Sequence, residues 1–173
     1  MAHFAEVRKS DNKILRVIVI SNEDVAANGG DLSTQAEDFV KNLIEPITDE
    51  ETFWKQTSYN NNFRKLFGCR DGSYDPENDE FIEKKPELYP SWVLDTSTNL
   101  WKPPLAFPAD DSRPNNGPPE DWYPMWDEDL WNSSGNKNGW TAEQIHHEGN
   151  VDSRDDNLYY RDEETLNWIV KND

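Results

Sequence analysis

Nine of the eleven prolines in this 173-residue chain fall between Pro86 and Pro124. Proline fixes φ and has no backbone N–H, so a stretch this dense in it cannot continue a helix or a central strand. It favours extended backbone without internal hydrogen bonds. Seven of the eight tryptophans lie beyond residue 90. The chain therefore divides into an N-terminal part with ordinary strand and helix signals and a second part of large aromatics strung between prolines. Leu, Ile, Val and Phe make up about a fifth of the residues and the formal net charge is −18. That composition borders on the disordered class, and the aromatic rings bring it back by burying large areas.

Phe4 to Val7 and Ile14 to Ile20 are rich in β-formers and flank a turn cluster, Lys9-Ser10-Asp11-Asn12-Lys13, which predicts a hairpin. Val17 and Val19 alternate with Ile18 and Ile20, so Ile14 to Ile20 is expected to be a central strand with a helix on one side. That helix is expected after Gly29-Gly30, with Thr34 as cap, Glu37 as its reciprocal partner, a stripe of Ala36, Phe39, Val40 and Leu43, and Pro46 as stop. Phe53 to Tyr59 reads as a third strand, with Phe53, Lys55 and Thr57 on one face and Trp54, Gln56 and Ser58 on the other.

The second part holds an internal repeat. An Asp precedes an aromatic by six residues in Asp75–Phe81, Asp95–Trp101 and Asp162–Trp168. The carboxylate can accept backbone N–H groups two and three residues on, closing a turn, and the returning strand then sets the aromatic across from the residues before the Asp. This predicts hairpins over 73–82, 92–101 and 159–168, with a shortened one over 123–131. Hairpins this small need a neighbouring surface, in the same chain or in a partner. Asn132 to Gly139 reads as a flexible linker, and Thr141-Ala142-Glu143-Gln144 as the start of a short helix ended by Gly149. The expected fold is α+β and β-rich: a small strand/helix unit over 1–68, Pro-rich arms with β-hairpins over 69–131, and a linker, short helix and hairpin over 132–173.

Chemistry is sparsely signalled. A helical His146-His147-Glu148 would spread its side chains about 100° apart, away from a single ion. The acid pairs Asp110-Asp111, Asp127-Glu128-Asp129 and Glu163-Glu164 sit in turns and Pro-rich stretches, where water keeps both members ionised. The Asp75-Pro76-Glu77-Asn78-Asp79 turn lacks the EF-hand pattern, and Cys69 beside Phe67 reads as a small buried residue. No metal, cofactor or catalytic residue is expected. A polyanion of this charge is not expected to bind nucleic acid or to insert in a membrane, and the first residues lack a signal peptide's basic and apolar regions. The residues that composition alone does not explain are the aromatic anchors Trp92, Trp101, Trp122, Trp126, Trp131, Tyr160 and Trp168. They read as hairpin cores and anchors onto a partner, or as a stacking surface for sugars.

Several stretches resemble a known family: Trp54-Lys55-Gln56-Thr57-Ser58-Tyr59-Asn60, Asn62-Phe63-Arg64-Lys65, Gly72-Ser73-Tyr74-Asp75, Tyr89-Pro90-Ser91-Trp92-Val93-Leu94-Asp95 and Leu100-Trp101-Lys102-Pro103-Pro104. The opening Met1-Ala2-His3-Phe4-Ala5 and the Val17-Ile18-Val19 strand before Asn22-Glu23-Asp24 fit as well. They resemble small virion-associated or uncharacterised proteins of tailed phages of marine bacteria, cyanobacteria especially. The likeness covers residues 1 to about 108 and extends to the C-terminal hairpins in style only. The usual insertion after Tyr59-Asn60 is shorter here, and Leu66-Phe67-Gly68-Cys69-Arg70 replaces the usual run of small residues. The resemblance implies a phage particle as setting and supplies no catalytic residue. The expected function is a non-enzymatic virion structural protein, an accessory or decoration protein docked on the capsid or another large assembly, its partners the phage structural proteins or a further copy of the chain. The alternatives are a tail or fibre component that binds host glycan through its tryptophans, and an intracellular phage protein that binds a host protein.

Overall fold

The structure is a computed structural model and describes residues 1–108, 122–148 and 151–171. These residues pack as two units, Met1–Pro86 with Leu94–Lys102, and Glu87–Val93 with Pro103–Asp173. The architecture is α+β and β-rich. Pro114, Pro118, Pro119 and the Asp110-Asp111 pair lie outside the described residues.

The first unit is built on an antiparallel sheet in the order β2-β1-β3, with β1 at Ala2–Arg8, β2 at Ile14–Ile20 and β3 at Thr52–Thr57. The central strand is thus β1 and not Ile14–Ile20, as the alternation in β2 suggested. β2 lies at an edge, yet both its faces are partly covered because the sheet is a middle layer, with Val19 left 48% exposed. On one face Ala2, Phe4, Ile20 and Trp54 pack with Val25 of α1 (Asn22–Ala27) and with Ala36 and Val40 of α2 (Thr34–Leu43). On the other, Ala5, Val7 and Ile14 pack with Tyr74 and Phe81 of the hairpin β4–β5 (Ser73–Asp75 and Glu80–Ile82). The pairing slips between Glu6↔Arg16 and Val7↔Ile14, a bulge at Leu15. Val17 thus stands three positions from Ile14 on the same face, a spacing that a regular strand forbids.

Ser33 caps α2 in place of Thr34: its hydroxyl accepts from the Ala36 N–H at 3.1 Å. Glu37 does not close a capping box, because its carboxylate is engaged by Lys55 at 2.8 Å and Arg64 at 3.1 Å. Helix α1, capped by Ser21, is an addition to the expected elements. Glu6 points into the helix-facing core with no exposure, paired with Arg16 at 2.6 Å and accepting from Thr52 Oγ1 at 3.0 Å. The Arg16 guanidinium lies over the Trp54 ring and donates to the carbonyl of Glu45.

The hairpin β6–β7 (Val93–Asp95 and Leu100–Lys102) has its Leu94–Lys102 portion in this unit. Buried Asn99 donates its amide to the Phe81 carbonyl at 2.9 Å, Glu83 N–H donates to Asn99 O at 3.1 Å, and Trp101 Nε1 donates to Glu83 O at 2.9 Å.

The repeat has the anticipated turn. Asp75 accepts from the N–H groups of Glu77 and Asn78, Asp95 from Ser97 and Asp162 from Glu164. Phe81 stands opposite Tyr74, and Trp168 opposite Arg161, each the residue before its Asp. The fourth residue after each Asp has positive φ: Asp79 at 53°, Asn99 at 59° and Leu166 at 57°. Asp and Asn tolerate that region, whereas Leu166 occupies it at a steric cost of about 1 kcal/mol or more.

The second unit is an antiparallel sheet in the order β11-β10-β9-β8, with β8 at Trp122–Trp126, β9 at Trp140–Glu148, β10 at Val151–Asp162 and β11 at Asn167–Val170. Three expectations are corrected here. Thr141–Glu148 is not a helix: residues 140–144 pair with β8 on one side and residues of 141–148 with β10 on the other, and these ladders of backbone hydrogen bonds outweigh a local capping signal, while Gly149, the expected helix stop, lies outside the described residues. The shortened hairpin over 123–131 is strand β8 followed by α3 (Glu128–Ser133), because the Asp127 side chain accepts from Leu130 N–H as a helix N-cap. Asn132–Gly139 is not a free linker: Ser134 Oγ accepts from Asn138 N–H at 2.9 Å, and Asp127 N–H donates to Gly139 O at 2.8 Å.

Replacing Arg16 by Ala strands a fully buried carboxylate and is expected to cost about 3–5 kcal/mol in urea unfolding followed by tryptophan fluorescence. The pair Glu6→Leu with Arg16→Met should recover most of that loss; a cost below about 1 kcal/mol for Arg16→Ala would place the pair with ordinary surface salt bridges. The Ser97 hydroxyl, then Lys102 and the Ser97 N–H, hold Asp95 down from 3.8 to about 2. Its contribution to the turn is therefore complete above pH 3.8 and is lost as the pH falls toward 2. NMR titration should show that depressed value in the native chain and a value nearer 3.8 in Ser97→Ala.

Candidate interaction surface

The register of the second sheet sorts its aromatics. Trp122, Ala142 and Tyr159 form the buried cluster on one face, with Trp168 packed against it. Trp122 meets Tyr159 edge-on at 5.3 Å. Trp126 and Trp140 are buried as well, in contact at 5.5 Å, and half-buried Trp131 of α3 leans on Trp126 at 5.3 Å. Gly139 is required beside them, since a Cβ there would stand 2.3 Å from the Trp126 ring. Trp126 Nε1 donates to Glu128 at 3.0 Å and Ser91 Oγ at 3.2 Å, and Glu128 also accepts from the Ser91 N–H and hydroxyl. Glu128 thereby fastens the 87–93 segment to the start of α3.

In the first unit, half-buried Trp101 is pinned by its bond to Glu83 O and covered by Lys85 Nζ, 4.7 Å from its ring centroid. Tyr160 borders a separate open cleft with Lys137, Asn138, Asp162, Glu163 and Glu164. Burial raises the Glu163 carboxyl above its ordinary value despite Arg161 beside it. The anchors expected from the sequence are thus scattered. Trp122 is core, Trp101, Trp131 and Trp168 are half-buried supports, and buried Trp126 and half-buried Trp92 both border a larger open surface.

That surface is a groove of about 990 Å³ within the second unit. Tyr89 and Trp92 form one wall, stacked at 4.8 Å with their planes 11° apart. The turn that stacks them is closed by Trp92 N–H donating to Tyr89 O at 3.1 Å. Met125, Thr141, Glu143 and Leu158 also line it, all on the sheet face opposite Trp122, Ala142 and Tyr159. Tyr123 shares their face and is 63% exposed. The carboxylates among the lining residues are Glu87, Asp127, Glu128, Asp129 and Glu143, and no Lys, Arg or His is among the described residues that line the groove. Burial pushes the Asp127 carboxyl up, but the N–H of Leu130 and the ammonium of Lys171 outweigh it and hold it below its usual value. Acid and aromatic side chains side by side suit a cationic, partly apolar segment, which can pair with the carboxylates and lay its stems along the rings.

Sequence reasoning missed Tyr89, Met125 and Leu158. The Tyr-Pro-Ser-Trp spacing at 89–92 was the signal for the first, because a turn that starts with an aromatic and ends with one brings the two rings together. Met125 and Leu158 carry no such local sign; their face depends on pairing with β9.

Substituting Gly139 by Ala should displace Trp126 and cost about 1–3 kcal/mol, with loss of the near-ultraviolet dichroism of the Trp126, Trp131 and Trp140 cluster. No family model matches the chain, and no curated protein or solved structure matches it either.

Proposed function

We propose that the chain is a non-enzymatic structural component of a tailed-phage particle, an accessory or decoration protein that docks on the capsid or on another large assembly. The observation that carries this reading is the acidic, aromatic groove of the second unit. Its described lining includes five carboxylates, one of them paired with Lys171, and no cationic side chain, with the Tyr89–Trp92 stack as an apolar wall. Such a surface takes up a basic, extended segment of a partner protein, with charge setting the encounter and the rings supplying the anchor. A net charge of −18 adds a long-range field of the same sign. The resemblance of residues 1 to about 108 to small phage proteins supports the particle as setting.

The test is quantitative mass spectrometry of gradient-purified particles, giving copies of this chain per major capsid protein. A ratio near unity, or a simple fraction set by capsid symmetry, is expected of a shell protein. A ratio of a few per cent would move it to the neck or tail, and absence from particles would overturn the reading. Rebinding of the purified chain to particles stripped of it should weaken with added salt, as electrostatic docking requires. It should weaken at least about tenfold in Trp92→Ala, as expected for an anchor residue.

A further inference from the structure

We infer that the first unit carries a binding site for a neutral saccharide, in the groove beside Tyr59. The inference goes beyond the particle assignment and does not depend on it. The groove measures about 530 Å³, within the range of about 300–1,000 Å³ usual for small-ligand sites. It lies at the end of the sheet where β1 begins and β3 leaves. Its aromatic feature is unusual: Tyr59 is 72% exposed, and yet its ring is held. His3 stacks against it at 6.0 Å and 27°, and Phe67 meets both rings edge-on, at 5.7 Å from Tyr59 and 5.5 Å from His3. A tyrosine supported from behind and open in front is a platform, since little conformational freedom remains to be lost when a ligand lies on it.

The rest of the lining fits hydroxyl groups. Asn22, Asn60 and Asn62 line the groove, and their carboxamides make no hydrogen bond to another described residue. Each offers both a donor and an acceptor, which is what a sugar hydroxyl asks for. The turn that presents Asn60 and Asn62 is closed by Asn61 N–H donating to Ser58 O and by Asn62 N–H donating to Ser58 Oγ, both at 3.0 Å. Gln56 is spent inside the protein, accepting from Leu32 N–H at 2.6 Å and donating to Asp31 at 2.7 Å.

Other ligand classes fit less well. No Lys or Arg is among the described residues that line the groove, and a phosphate or an acidic sugar would meet the like charge of Asp31. One carboxylate already hydrogen-bonded to Gln56 is a poor match for a cation. Six of the twelve lining side chains carry an amide, hydroxyl or carboxylate besides the Tyr59 phenol and the Thr57 hydroxyl, too polar a set for an aliphatic ligand. A pyranose combines what remains: a weakly positive C–H face for the negative face of a tyrosine, and hydroxyls around its rim for carboxamides.

The experiment is saturation-transfer NMR of the full chain against neutral trisaccharides of glucose, mannose, galactose and N-acetylglucosamine, with chemical-shift mapping and titration of any that respond. Transfer from at least one probe is expected, with shifts concentrated at Tyr59, Asn60 and Asn62. Affinity should fall at least about tenfold in Tyr59→Ala, a fully folded variant because the side chain is largely exposed, and should stay within a few-fold in Tyr59→Trp. Trp101→Ala and Trp92→Ala should leave it unchanged, which separates this site from the tryptophans and from the groove of the second unit. Silence across the panel would overturn the inference, as would binding that survives Tyr59→Ala or is lost in Trp101→Ala.

Discussion

The guanidinium of Arg64 is nearly buried, and it reaches every layer of the first unit. Its Nε pairs with Asp79 of the β4–β5 turn at 2.7 Å, its Nη1 donates to the Gln56 carbonyl of β3 at 2.7 Å, and its Nη2 pairs with Glu37 of α2 at 3.1 Å. Lys55 shares Glu37, and the Tyr74 hydroxyl donates to the same Asp79 oxygen that Arg64 holds. Burial alone would push the Asp79 carboxyl up, but the Tyr74 hydroxyl and Arg64 outweigh it and hold it down. One planar cation with donors in a fixed fork thus ties helix, sheet edge and hairpin, a geometry that a lysine cannot supply. The backbone carbonyl of Arg64 also accepts from Phe81 N–H at 3.1 Å, so the residue fixes the hairpin through both main chain and side chain.

The repeated hairpin then meets three different environments. The first covers the sheet and is anchored through Asp79. The second anchors on the first through Asn99, which occupies the corresponding left-handed position. The third continues a longer sheet, and Leu166 at that position is 56% exposed and anchors nothing. Hairpins too small to stand alone thus find their supporting surface largely within the chain, and most of the tryptophans are consumed in providing it. What is left facing outward is different in kind: an acidic groove walled by Tyr89 and Trp92 in one unit, and an amide-lined groove with a single carboxylate, Asp31, beside Tyr59 in the other. The two surfaces differ in charge and in polar chemistry, which is why a basic protein segment suits one and a sugar the other.

The strand alternation of β1, β2 and β3, the Ala36, Phe39 and Val40 part of the α2 stripe and all three Asp-closed turns were legible from residues alone, whereas Leu43, expected on that stripe, is 55% exposed. Each depends on side chains within about six positions of one another, so local physics decides it. The turn carboxylate finds N–H groups two residues away whatever surrounds it, and the aromatic six residues on is carried back beside it. The central place of β1, the bulge at Leu15 and the strand at 140–148 were not legible. The first two follow from which faces are covered by segments far along the chain. The third sets a local helix signal against two neighbouring strands, and the strands win because between them they pair with β9 over its whole length. The site residues divide in the same way. Trp92 was seen, and Tyr89 was missed although the Tyr-Pro-Ser-Trp spacing carried its signal, whereas the placing of Tyr59 could not be seen, because it depends on His3 and Phe67 packing against the ring.

By itself the amino-acid sequence determined the β-rich class, the hairpin turns, the acidic character and the supply of aromatic anchors, all of which are set by composition and by short-range spacing. Only the tertiary structure decided which aromatics are core and which are surface. Burial is a property of what packs against a ring, and for Trp126, Trp122 and Tyr59 the residues that do so come from distant parts of the chain.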